Sequence, residues 1–194
     1  KMKLSDVEKI SIIINKMFEH KTPLIKFFTL NGVEYGFISD LDNISFGEYI
    51  DLDNNISDWQ NMHLAMNVLF RPIKQRLGKK YIIEEYNLDN KIVIQDMPLS
   101  AVMGSIFFFV SFRDRLIKSY DQIFNQTGEK SLDAISNFGR KWGWYQSIYA
   151  LAGGDVTRFE DITELNVHKC LTMLSFMKEK QELENKQIKN KINK

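Results

Sequence analysis

Apolar residues recur at helical spacing in several stretches of this chain, and the polar residue in front of each marks where a helix begins. Three segments open with Ser followed three residues later by Glu or Gln: Ser5 to Glu8, Ser45 to Glu48 and Ser57 to Gln60. In that pattern the Ser oxygen accepts from a backbone N–H while the longer side chain reaches back to cap another. The first leads Val7, Ile10, Ile13, Ile14 and Met17; the third leads Trp59, Met62, Ala65, Met66, Leu69 and Phe70, with Pro72 as its stop. Both read as amphipathic helices.

Between the first two segments the period changes to that of strands. Ile25 to Ser39 is rich in Phe, Tyr, Val and Ile around Asn31-Gly32, a dipeptide suited to the positive φ angles of a two-residue hairpin turn. Lys26 to Leu30 and Val33 to Ile38 are therefore expected to pair antiparallel. A second β candidate joins Lys80 to Tyr86 with Lys91 to Gln95 across Asn87-Leu88-Asp89-Asn90.

The remainder reads as helix. Pro98 suits the start of a helix from about Leu99 to Phe124, with a break at Gln126, Thr127 and Gly128. A further helix from about Leu132 to Ala152 carries Phe138, Trp142, Tyr145 and Tyr149 on one side and Trp144, Ile148 and Leu151 on an adjoining one, a pattern that predicts a central core position. Gly153-Gly154 ends it, and Asp155 and Thr157 offer caps for a last helix that presents Phe159, Ile162, Leu165, Leu171, Met173, Leu174 and Met177 to the core. After Met177 the pattern thins: Lys178 to Lys194 holds six Lys and three Glu, a net side-chain charge of +3, with Leu183, Ile188 and Ile192 its only apolar residues. The expected fold is mainly α within the α+β class: one helical domain over 1–177 with a small antiparallel hairpin or sheet, and a charged helical extension over 178–194.

Composition narrows the class without naming a function. A chain of 194 residues with 44% hydrophobic and 26% charged residues is ordinary globular material, and a net charge of +1 gives the body no strong attraction to polyanions. The single cysteine, Cys170, forms no disulfide within the chain and reads as a small buried hydrophobe. The N-terminal residues lack the apolar stretch of a secretory signal peptide. Met97 to Phe112, the longest uncharged run, has 16 residues, short of the ~20 that cross a bilayer, and reads as a buried helix.

Candidate chemistry is sparse. Asp40, Asp42, Asp51, Asp53 and Asp58 cluster, but neither calcium-loop register supplies Gly at the sixth position and Glu at the twelfth, so capping and solvated turns account for them. His20, His63 and His168 fall on separate elements and form no metal-binding pair. Leu77-Gly78-Lys79-Lys80 lacks the earlier glycine and following hydroxyl of a P-loop, and Glu84-Glu85 would face opposite sides of a strand. No catalytic residue, metal ligand or cofactor site is expected, and the chain reads as a non-enzyme. Arg140-Lys141-Trp142-Gly143-Trp144-Tyr145 mixes cations with aromatics as single-strand nucleic-acid platforms do, which makes Arg140 and Lys141 the candidates for that partner, although core packing is the favoured reading.

Ile44 to Leu52, Met62 to Pro72 and Tyr81 to Tyr86, followed by the aromatic helix, Gly-Asp break and long charged helix of Trp142 to Lys180, resemble the small morphogenesis proteins of tailed bacteriophages, in particular tail assembly chaperones. The resemblance implies protein binding without turnover: shielding the apolar helices of a tape-measure or other tail protein in the host cytoplasm during assembly. A structural component of the virion neck, tail or capsid interior, or a nucleic-acid-binding accessory protein, are the alternatives, and a homo-oligomer stays open. On this reading the contact arm is the terminal helix, with Lys178, Lys180, Leu183, Lys186, Ile188 and Lys189 as its candidate residues.

Overall fold

A computed structural model describes residues 22–87, 96–124 and 141–192. The expected helix after Ser5, the return strand Lys91 to Gln95 and the part of the aromatic helix before Lys141, Arg140 included, lie outside these residues. The elements run β1 (Phe27–Leu30), β2 (Val33–Phe37), α1 (Phe46–Asn55), α2 (Met62–Leu69), β3 (Phe70–Leu77), β4 (Lys80–Ile83), α3 (Leu99–Ser119), α4 (Asp121–Phe124), α5 (Trp144–Leu151), α6 (Phe159–Glu164) and α7 (Val167–Ile192). They fall into two compact units, one within 1–39 and 54–113 and the other within 40–53 and 114–194. The class is α+β, with a four-stranded antiparallel sheet and a long C-terminal helix.

In the first unit the expected hairpin forms around its Asn-Gly turn. Leu30 pairs with Val33, and both turn residues take positive φ, 51° at Asn31 and 80° at Gly32. The sheet continues in the order β1-β2-β3-β4. Phe28, Tyr35, Phe37 and Phe70 share its buried face: Phe28 stacks on Tyr35 at 5.4 Å, and Phe70 meets Phe28 and Phe37 edge-on, each at 5.2 Å. On the opposite face Gly36 leaves room for the Tyr81 ring, whose hydroxyl donates to the carbonyls of Lys26 (3.0 Å) or Phe37 (2.8 Å). Beside it Arg76 pairs with Glu34 and lies 4.6 Å over the Phe27 ring, and its guanidinium holds the Glu34 carboxyl below its ordinary pKa.

β3 departs from the sequence expectation. The helix before Pro72 ends at Leu69, and the chain passes directly into a strand in which Pro72 lies opposite Tyr35. The Pro72 carbonyl accepts from the Glu84 N–H at 2.9 Å, so its missing N–H falls on the β4 side, next to a bulge between Ile73 and Gln75. β4 pairs with β3 across the two-residue loop Gly78-Lys79, with Gly78 at φ 63°. The Leu-Gly-Lys-Lys stretch that fails as a phosphate loop is a hairpin turn. α2 begins later than its serine suggests: Asp58, not Ser57, accepts from the Gln60 N–H at 2.9 Å, and Trp59 stays exposed ahead of the helix.

α3 begins after Pro98, whose carbonyl accepts from the N–H groups of Ala101 and Val102. It ends at Ser119 rather than running on to Phe124. Ala101, Ser105, Phe109, Phe112 and Leu116 make its buried stripe at helical spacing, and Gly104 packs so closely on the chain at Pro23 that a Cβ there would sit 2.5 Å from the Pro23 carbonyl oxygen. No helix among the described residues is long and apolar enough to cross a membrane.

The second unit is organised by a short extended clip. Ser45 bridges Asn166 antiparallel: the Phe46 N–H donates to Leu165 O at 2.7 Å, and the Val167 N–H to Ile44 O at 3.1 Å. The clip splits the expected last helix into α6 and α7. Ser45 and Glu48 form the reciprocal cap read from sequence, at 2.9 and 3.2 Å, and launch α1, whose Phe46, Tyr49 and Leu52 are fully buried. Gly47 lies against α6, where a Cβ would stand 3.0 Å from that of Thr163.

Candidate interaction surfaces

Gly143, at φ 44°, interrupts the aromatic segment, so α5 begins only at Trp144. This turn divides the aromatics between two environments. Trp144 points inward, edge-on to Phe46 (5.7 Å), Tyr49 (5.5 Å) and Phe124 (6.0 Å), and its indole N–H donates to Asp53 at 2.9 Å. Trp142, Tyr145 and Tyr149 are 39%, 47% and 55% exposed and, with Gln146, line an open cleft of about 540 Å³. Lys141 lies 5.1 Å over the Trp142 ring, and Tyr145 meets Phe159 edge-on at 5.4 Å. From Lys141 on, the expectation that this helix is central to the core is therefore corrected: α5 holds no fully buried residue, because its eight residues, set between the breaks at Gly143 and Gly153, present only one turned-in face.

α7 changes character along its length. Val167, Cys170 and Leu171 are buried near its start, whereas Met173, expected in the core, is 48% exposed, Leu165, also expected there and just ahead of the helix, is 40% exposed, and Phe176 is 56% exposed. From Glu179 to Ile192 every residue is exposed. Of the candidate arm residues, Lys178 donates through Nζ to the Gln122 carbonyl. Lys180 pairs with Glu184 one turn on at 3.9 Å, a solvated pair of small energetic weight. Leu183, Lys186, Ile188 and Lys189 stand in solvent.

Polar groups of the second unit converge at His168, a grouping invisible to local patterns. Its ring lies 3.0 Å through Nδ1 from the Tyr120 hydroxyl and 3.3 Å through Nε2 from Asp42, while its backbone N–H donates to the Asn166 side chain at 2.9 Å. Asn166 also donates to the Asp42 carbonyl at 2.8 Å. These contacts fasten the start of α7 to the Asp40 turn, so the chain of bonds has an evident architectural role. Asp40 and Asp155 each accept from the backbone N–H two residues on, the capping use read from sequence. Cys170 is buried, and burial pushes its thiol up to about 11, which keeps it protonated and unreactive at neutral pH.

Compared with known protein families, curated proteins and solved structures, the chain matches none.

Proposed function

We propose that this chain is a non-enzymatic binding protein that acts during assembly of a larger protein structure, in the manner of a tail assembly chaperone of a tailed bacteriophage. The observation that carries the reading is the run of solvent-facing apolar side chains on α7: Met173, Phe176, Leu183, Ile188 and Ile192 on a single helix that stays exposed to its end. A helix of this kind is suited to lie against apolar helices of a tape-measure or other tail protein, with its lysines and glutamates keeping the unbound state soluble. The resemblance of Ile44 to Leu52, Met62 to Pro72 and Tyr81 to Tyr86 to bacteriophage morphogenesis proteins supplies the choice of partner class, and the cytoplasm of an infected host is where such a partner awaits assembly.

The test is copurification from infected or expressing cells with mass spectrometry, using the full chain and a version ending at Met177. Recovery of a long coiled-coil tail protein by the full chain, lost on truncation, supports the chaperone role. Finding the chain in purified particles reassigns it as a virion component. Recovery of neither overturns both readings.

A further inference from the structure

The first unit contains a cleft of about 510 Å³, within the range of small-ligand sites. Leu24 and Phe108 give it apolar walls, with Phe108 edge-on to the buried Phe37 at 5.5 Å. Lys26, Lys79 and Lys80 line the same cleft. The chain delivers these lysines from two separate places, ahead of β1 and at the β3–β4 turn, so their convergence is a product of the sheet. Among the described residues no carboxylate lines the cleft, and Glu34 of the neighbouring strand is occupied by Arg76. Tyr81, also in the lining, is anchored by its hydroxyl to the ends of β1 and β2, which gives this side of the cleft a fixed wall.

Three ammonium groups beside an apolar hollow set the chemistry of the occupant. A neutral apolar ligand would make no use of the three exposed lysines, and a bare inorganic anion would leave the Leu24 and Phe108 walls uncovered. We infer that this cleft binds a small anionic amphiphile: an aliphatic or aromatic body seated on Leu24 and Phe108, with a carboxylate, sulfonate or phosphate head held by Lys26, Lys79 and Lys80. The site shares no residue with α7 and does not depend on the assembly role.

The experiment is a fluorescence titration of the full chain with anilinonaphthalene sulfonate, followed by displacement with octanoate or with octanol. Saturable binding is expected, weakening as salt rises, with octanoate displacing the probe and octanol at equal concentration failing to do so. The Lys79→Glu/Lys80→Glu variant, altered at an exposed turn, is expected to bind the probe about tenfold more weakly, since attraction becomes repulsion. Lys26→Gln is the independent check, weakening binding by a smaller factor. Tyr145→Ser/Tyr149→Ser is expected to leave this binding unchanged, which separates it from probe held by the α5 aromatics. Absence of binding, displacement by octanol as effective as by octanoate, or an affinity indifferent to both lysine changes overturns the inference.

Discussion

The buried face of the sheet in the first unit and the outward aromatics on and just ahead of α5 in the second are the same kind of residue. Phe28, Tyr35, Phe37 and Phe70 are at most 8% exposed, whereas Trp142, Tyr145 and Tyr149 are 39% or more exposed. The difference lies in what each backbone offers its side chains. Strand pairing aligns Phe28 with Tyr35 and Phe70 with Phe37, so four rings form one contiguous layer. α5 is a short helix between glycine breaks, and its inward position is taken by Trp144. Aromatic content thus states how much apolar surface a segment carries and leaves open whether the molecule covers it.

Mutation of the two regions tests this contrast directly. Phe70→Ala should cost about 3–5 kcal/mol of stability in urea titration, as expected for a fully buried aromatic; a loss as small as that for Tyr149→Ala would erase the contrast. Gly36→Ala should cost about 1–3 kcal/mol, because the new Cβ meets a Tyr81 ring pinned by its hydroxyl. A Cβ there would lie 2.5 Å from Tyr81 Cε2. Combining it with Tyr81→Ser should cost less than the sum of the single changes, and strict additivity would refute the steric account. Trp144→Phe should lose about 1.5 kcal/mol with the bond to Asp53, whereas Trp142→Phe should be nearly neutral.

The smallest effects belong to the exposed part of α7. Ending the chain at Met177 should change stability by less than about 0.5 kcal/mol, since it removes mostly solvated residues and one lysine–carbonyl bond; unfolding would show that the terminal turns are docked. Cys170 adds a pH-dependent check near the start of the same helix. Its thiol is raised from an ordinary value of 9.0 to about 11, so between those values the unfolded chain has released a proton that the folded chain still holds. This contribution to stability is therefore flat below that window and falls as pH rises through it. Urea midpoints of the native chain should decline more steeply there than those of Cys170→Ala, and parallel curves would contradict the assignment.

Much of the local structure was legible. The Asn31-Gly32 turn, the Ser45–Glu48 cap, the Gly153-Gly154 stop and the Asp155 cap each depend on residues within a few positions of one another, where backbone preference and short-range hydrogen bonding decide the outcome. β3 was not. Pro72 reads as a helix stop, yet the residue before a proline also favours extended backbone, and only a partner strand on each side turns that preference into a central strand. The inward face of Trp144, the His168 junction and the grouping of Lys26 with Lys79 and Lys80 had no local signal, because their members lie far apart along the chain.

By itself the sequence determined the α+β class, the first hairpin and its turn, the cap of α1, and the charged end of α7, since each follows from local propensity or from the cost of burying charge. Tertiary structure alone decided which aromatics are covered, that Ser45 and Asn166 clip the chain and divide the last helix, and that three separated lysines share one cleft. Burial and convergence depend on which distant segments meet, a choice made by the packing of whole elements and written at no single position.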